Sequence, residues 1–181
     1  VKSPEPHIIL IGFKHVGKSA IGRTLALHIH KKNSDLDEVI EHIYSHQYQD
    51  KLTCREIVQH KGEAFFRTLE QAALAQALQN EPCIISTGGG TPMRAENCAL
   101  MAPHCVVHIT AEPKQVFDRI MRKGRPAFFP KTEDPWLTFQ RLWQEREKVY
   151  RRIATFSVEN NHSVTTTVTH LLKKYYELRH H

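Results

Sequence analysis

The sequence predicts an α/β fold: a parallel sheet covered by helices on both faces. Three observations carry that expectation. Apolar bursts of strand length recur along the chain, longer segments with helical spacing separate them, and the first burst runs straight into a glycine-bearing loop and a helix. Strands alternating with helices make βαβ units, whose strands must lie parallel. The bursts are His7 to Ile11, Cys83 to Thr87, Cys105 to Thr110 and Thr155 to Val158, with "NSDLDE" as a short polar second strand entering a helix at Asp37. Ala72, Ala73, Leu74, Ala77 and Leu78 make one apolar helical face, and Val116, Phe117, Ile120 and Met121 make another. "TTTVTHLLKKYYEL" reads as a terminal amphipathic helix with Leu171, Leu172, Tyr175 and Leu178 facing inward. Trp136 and Trp143, seven apart in a helical segment, are expected to pack in the core or under a lid.

With 181 residues, 40% hydrophobic and 24% charged, the chain suits one domain with a full core. No apolar run reaches membrane-spanning length, and "VKSPEPH" lacks the apolar core of a secretory signal. Cys54, Cys83, Cys98 and Cys105 match no CxxC pair or zinc pattern, so they read as small core residues in a reducing compartment, and a cytoplasmic location is expected. The net charge of +6 is spread along the chain without an aromatic-interleaved basic stripe, which argues for small anionic ligands over nucleic acid. The thirteen histidines show no paired-ligand spacing, and no metal beyond Mg²⁺ is expected. The closing His180 and His181 receive no functional weight. "RKGRPAFFPKTEDP", Arg122 to Pro135, reads as an exposed excursion and a candidate lid.

"GFKHVGKS" fits G-x-x-x-x-G-K-[ST] in its required context, strand before and helix after. Gly12, Phe13, Lys14, His15, Val16, Gly17, Lys18, Ser19 and Ala20 are therefore the expected nucleotide-binding residues. Their backbone N–H groups and the helix N-terminus face phosphate, Lys18 reaches the β- and γ-phosphates, and Ser19 is a ligand for Mg²⁺. That identifies a triphosphate site but not a reaction. Asp35 and Asp37, two residues apart at a strand end, are expected to point the same way. One would serve the Mg²⁺ shell, and the other would accept a proton from an attacking hydroxyl. Solvated loop acids are the plain alternative. In "GEAFFRTLE", Arg67 and Glu70 stand at i, i+3 on a helix, so the acid can brace the guanidinium, unless the two form only a surface ion pair. In "IISTGGGTP", Gly88, Gly89 and Gly90 follow a buried strand, where open α/β sheets bind ligands.

The order of P-loop, "DLD", "GEAFFRTLE", "STGGG", "GRP" and "EREKVY" resembles the shikimate kinases, and the resemblance runs from about Ile8 to Val158. It implies a three-layer αβα P-loop kinase fold with a five-stranded parallel sheet, a substrate-binding subdomain at about 37–67 and a lid at about 122–135. It also implies an ATP-dependent phosphotransferase acting on the 3-hydroxyl of shikimate, in chorismate and aromatic amino acid biosynthesis, commonly as a monomer. The matching positions would then bind Mg²⁺ at Ser19 and, through water, Asp35. Asp37 would contact the shikimate hydroxyl as general base, while Arg67 and Arg146 grip its carboxylate. Phe66 and Gly88 to Gly90 would line the ring, with Glu70 orienting Arg67. Arg125 would close on the transferring phosphate, and Arg119 would stack on adenine. Two arginines give forked recognition of a carboxylate that lysine could not copy. His15 stands where the family usually has glycine, the lid reads "RPAFFP", and "EREKVY" lacks a proline common before the tyrosine. A kinase for another small polyol acid, gluconate-like, and a catalytically silent nucleotide-binding module are the competing readings.

Overall fold

The computed structural model describes residues 5–126 and 129–179. Its elements run β1 (Ile8–Ile11), α1 (Lys18–His28), β2 (Asn33–Asp35), α2 (Leu36–Tyr48), α3 (Cys54–Lys61), α4 (Glu63–Leu78), β3 (Ile84–Ser86), a 3₁₀ turn (Thr91–Met93), α5 (Ala95–Met101), β4 (Cys105–Thr110), α6 (Pro113–Arg122), α7 (Pro135–Ile153), β5 (Phe156–Glu159) and α8 (Val164–Arg179). The five strands form one parallel sheet in the order β2-β3-β1-β4-β5, as expected. All four residues of β1 are buried, the continuous apolar run of a strand covered on both faces. The connection β1–α1–β2 runs one way across the sheet and the later crossovers run the other. Right-handed crossovers therefore put α1 on one face and α4, α5 and α7 on the opposite one, with α8 packing beside α1. β1 and β3 are neighbours whose helices leave on opposite faces. The crevice beyond their carboxyl ends is where such sheets take ligands.

Local chemistry sets the helix starts. Asp35 caps α2, Asp134 caps α7 with Pro135 in its first turn, and Thr53 with Glu56 forms a capping box on α3. Each cap contributes about 1 kcal/mol. Trp136 and Trp143 pack as expected, in an aromatic cluster with Phe117, Phe139 and the P-loop residue Phe13.

Three expectations need correction. Asp35 and Asp37 do not alternate along one strand: β2 stops at Asp35, because its carboxylate turns back to accept from the Asp37 N–H (3.1 Å) and start α2. Leu178 is 53% exposed. Leu171 and Tyr175 are buried and Leu172 partly so, but α8 has sixteen residues against eleven in its neighbour α1, about 8 Å of overhang at the helical rise. Of the four free cysteines only Cys83 is fully buried, while Cys54 and Cys105, at the starts of α3 and β4, and Cys98, in the middle of α5, are half-buried. Among the described residues, no helix is long and apolar enough to cross a membrane. Ala127 and Phe128 of the expected lid, and the closing His180–His181 pair, lie outside the described residues.

Candidate active site

The P-loop joins β1 to α1. Gly17 precedes α1 with φ +102°, a conformation that favours glycine, and a methyl group there would lie 2.5 Å from Asn160 Nδ2. That same amide donates to the Val16 carbonyl (2.8 Å), and its oxygen accepts from the Thr167 hydroxyl (2.8 Å), so the residue after β5 pins the loop from behind. His15 adopts φ +66°, a left-handed conformation that histidine enters more readily than most residues other than glycine. Its carbonyl accepts from Arg119 Nη1 (3.3 Å), which brings Arg119 of α6 against the loop. The His15 imidazole is held down to a pKa of about 4, first by burial and then by Lys14, Lys123, Lys18 and Arg119.

Lys18 is buried, and its ammonium donates to the Gly12 and Phe13 carbonyls, each at 2.8 Å. Burial lowers its pKa to about 8 against the attraction of Asp37 and Asp35, while Arg146 and Lys14 lower it further. Asp35 and Asp37 thus face Lys18 together, as expected, but by helix capping. Asp37 is exposed, yet enough protein surrounds its carboxylate to desolvate it in part. Its pKa is raised, by that desolvation first and then by Asp35 and Glu70, with Lys18 and Lys14 opposing.

Arg67 and Glu70 are no surface pair. Glu70 is 1% exposed and receives Arg67 Nη1 on both oxygens (3.0 and 2.9 Å), while Glu63 takes Nη2 at 3.0 Å. The Thr91 hydroxyl donates to Glu70 Oε1 (2.8 Å), fixing the acid in turn. The guanidinium lies 5.4 Å from the centre of the Phe66 ring. Arg146, on α7, stands 5.1 Å from the centre of the Phe13 ring and beside the Tyr150 hydroxyl.

The Gly88–Gly90 turn meets all of these. A methyl group at Gly88 would lie 3.2 Å from Glu70 Oε1 and 3.7 Å from Asp37 Oδ1. At Gly89 it would lie 3.1 Å from Lys14 N and 3.4 Å from Arg146 Nη1, and at Gly90 2.6 Å from Arg67 Nη2. The missing side chains leave room for the cluster's own charged groups, as well as for anything that enters. Tyr150, fully buried, donates to the Gly89 carbonyl at 2.6 Å. Tyr150, Thr91 and Asn160 were not singled out from the sequence as parts of this cluster. Only the offset of Tyr150 from Arg146, four residues along α7, hinted at it.

Arg125 stands apart from this convergence. Its guanidinium donates to the carbonyls of Phe129 (3.4 Å), Pro130 and Glu133 (2.6 Å), within its own segment. Among the described residues, no group of three or more His, Cys, Asp or Glu is arranged to hold a metal. The donors beside Lys18 are the Ser19 hydroxyl in the first turn of α1 and the Asp35 carboxylate. One or two hard oxygens with phosphate and water completing the shell is the set Mg²⁺ takes, so these residues fit it.

The sequence model of the shikimate kinase family matches residues 14–176. A shikimate kinase of Mesorhizobium japonicum is 37% identical over 145 residues, 79% of this chain and 68% of that protein. One of Thioalkalivibrio sulfidiphilus is 32% identical over 174 residues, 95% of this chain and 87% of its own. The structure of an Acinetobacter baumannii shikimate kinase in complex with shikimate superposes with a TM-score of 0.80 at 27% identity, covering 96% of this chain and 92% of that one. A P-loop, an acid cluster and two arginines meeting at one glycine turn agree with these matches, and the chain belongs to the shikimate kinase family.

Proposed function

We propose that the chain transfers the γ-phosphate of MgATP to the 3-hydroxyl of shikimate, as a cytoplasmic monomer in the route to chorismate and the aromatic amino acids. The observation that carries this reading is the convergence on Gly88–Gly90, where the P-loop backbone, the Asp37 carboxylate and the Arg67 and Arg146 guanidinium groups approach one turn. The backbone from Gly12 to Ala20 and the Lys18 ammonium hold the phosphates, with Lys18 exchanging its two carbonyl partners for phosphate oxygens. Ser19 and, through water, Asp35 hold Mg²⁺, which neutralises charge on the β- and γ-phosphates. Asp37, its basicity raised by its surroundings, takes the hydroxyl proton. Arg67, braced by Glu70, and Arg146 fork the carboxylate, with Phe66 and the glycine turn against the ring. Arg119 turns towards the adenine side, and Arg125 arrives with the closing segment 122–135.

Phosphoryl transfer through a loose transition state asks for positioning and positive charge more than covalent chemistry, and these groups supply both. Purified chain with MgATP is expected to release ADP in a coupled assay only when shikimate is added, and to leave gluconate untouched. Well-folded protein without shikimate-dependent turnover would overturn the reading.

A further inference from the structure

A buried ionisable pair lies behind the cleft and takes no part in the chemistry above. His108, in the middle of β4, is 1% exposed, and Glu147, on α7, is 8% exposed. His108 Nδ1 lies 3.2 Å from Ser157 Oγ on β5. Its Nε2 stands 3.0 Å from Glu147 Oε1, close but off the axis of a hydrogen bond. The other Glu147 oxygen accepts from Arg151 Nε at 3.0 Å. The His108 ring also tilts against Tyr150, with centroids 5.3 Å apart. Burial works against the Glu147 carboxylate, but His108 and Arg151 hold its pKa below the ordinary value. A buried pair of this kind is a poor stabiliser, because desolvation offsets most of its attraction. What it does supply is a fixed register between helix and sheet.

That register bears on the cleft. Glu147 follows Arg146 directly, and successive helical residues point about 100° apart. Glu147 therefore faces the sheet at His108 and Arg146 faces the glycine turn, while Tyr150, between them in helical angle, touches both the His108 ring and the Gly89 carbonyl. Two polar contacts fix the rotation of α7 about its own axis: Glu147 on His108 of β4, and the Tyr150 hydroxyl on the Gly89 carbonyl. We propose that His108 and Glu147 are positioning residues, setting the roll of α7 so that Arg146 is aimed at the acceptor carboxylate. The proposal rests on the reading of Arg146 as a substrate-binding group. Side-chain tips stand about 5–6 Å from a helix axis, so a roll of about 10° moves the guanidinium by about 1 Å. A displacement of that size can cost up to about 10²-fold at a site of fixed geometry.

The test is a set of variants of the whole chain, read by steady-state kinetics with shikimate and ATP varied separately. Glu147→Ala is expected to raise the shikimate KM about 10- to 50-fold, leaving the ATP KM within about twofold, because Asn160 pins the P-loop backbone and α7 meets the loop through the Phe13 ring, whose contacts with Phe139 and Trp143 tolerate a small roll better than a forked guanidinium does. Glu147→Gln, which keeps the shape and a polar contact to His108, should restore the shikimate KM to within about threefold of the parent. His108→Phe keeps the ring and removes both nitrogens. It carries the same expectation as Glu147→Ala and serves where that variant does not fold. In an Arg146→Ala background, which should itself raise the shikimate KM, Glu147→Ala should add nothing further, since it acts only through Arg146. A raised KM in Arg146→Ala alone, with Glu147→Ala and His108→Phe both within twofold of the parent, overturns the strut and spares the site. Equal rises in the shikimate and ATP KM overturn it too, as general loosening. An unchanged KM in Arg146→Ala removes the substrate assignment itself.

Discussion

The phosphate cradle and the segment from Arg122 to Pro135 both present positive charge, yet they are held in opposite ways. The cradle is tied from outside. Asn160 bonds the Val16 carbonyl, the Thr87 N–H and hydroxyl bond the Leu10 carbonyl, and Tyr150 bonds the Gly89 carbonyl, over separations of 61 to 144 residues. The segment is tied chiefly to itself and to the helix that follows it: Arg125 bonds carbonyls four, five and eight residues on, the Glu133 carboxylate accepts from Thr138 and Arg141 of α7, and buried Phe129 anchors it to the core. Groups that must meet charge at fixed points are pre-ordered by the sheet and its helices. In the proposed function Arg125 arrives after the nucleotide, and its local bonds near solvent, each with a net value of about 0.5–1.5 kcal/mol, are of a size that phosphate oxygens can replace.

The largest effect should come from the pre-ordered side. Asp37→Asn keeps the shape and removes the base, so kcat should fall about 10³-fold while the affinity for MgADP, measured by calorimetry, stays within about threefold. Survival of kcat within tenfold would mean the proton leaves by another route. On the self-tied side, Arg125→Ala should lower kcat about 10²-fold. Its shikimate KM should stay within about threefold and its Tm within about 1 °C, since only bonds inside an exposed segment are lost. A fall in Tm of several degrees would show that the segment braces the fold, and the contrast with the cradle would fail.

Much of this contrast was legible from the chain, and the gaps have a common cause. The P-loop announces itself because its chemistry is local: glycines, Lys18 and Ser19 act within eight residues, between an apolar strand and a helix. Arg67 and Glu70 were legible for the same reason, one helical turn apart. Asn160, Thr91 and the His108–Glu147 pair were not, because each acquires its meaning from a partner that only the sheet order brings near. Asp35 and Asp37 were assigned the right neighbourhood by the wrong geometry. Strand alternation and a helix cap look alike in "DLD", and only the carboxylate's bond to the Asp37 N–H separates them. The loop character of 122–135 was readable from its glycine and prolines, but not that Arg125 would satisfy its own segment's carbonyls.

The glycine turn offers a smaller, more selective break on the pre-ordered side. Gly90→Ala puts a methyl group 2.6 Å from Arg67 Nη2 and 2.9 Å from its Cζ, and the flexible guanidinium, not the backbone, must give way. Displacing it from Glu70 should raise the shikimate KM about 10- to 30-fold and leave the ATP KM unchanged. Gly88→Ala, at 3.2 Å from Glu70 Oε1, should cost less. A rise in the ATP KM alone would mean the turn serves the nucleotide and not the acceptor.

The smallest effect concerns the cradle without its ligand, and its sign follows from the burial of Lys18. The ammonium has a pKa of about 8 in the folded chain against an ordinary 10.5, so between those values the unfolded chain binds the additional proton. Stability of the nucleotide-free protein should therefore rise with pH through that window, by about 1 kcal/mol between pH 7.5 and 9. Phosphate binding needs the charged form, so the affinity for MgADP should weaken over the same interval, by a little under tenfold. Other groups titrate there as well, Cys and Tyr among them, and Lys18→Met supplies the reference that keeps them and removes this one. Denaturant melts of the two proteins at each pH should give a difference that grows in favour of the lysine form as pH rises. Parallel pH dependences would mean that water reaches the ammonium, and that the cradle, like the Arg125 segment, is completed only when the nucleotide arrives.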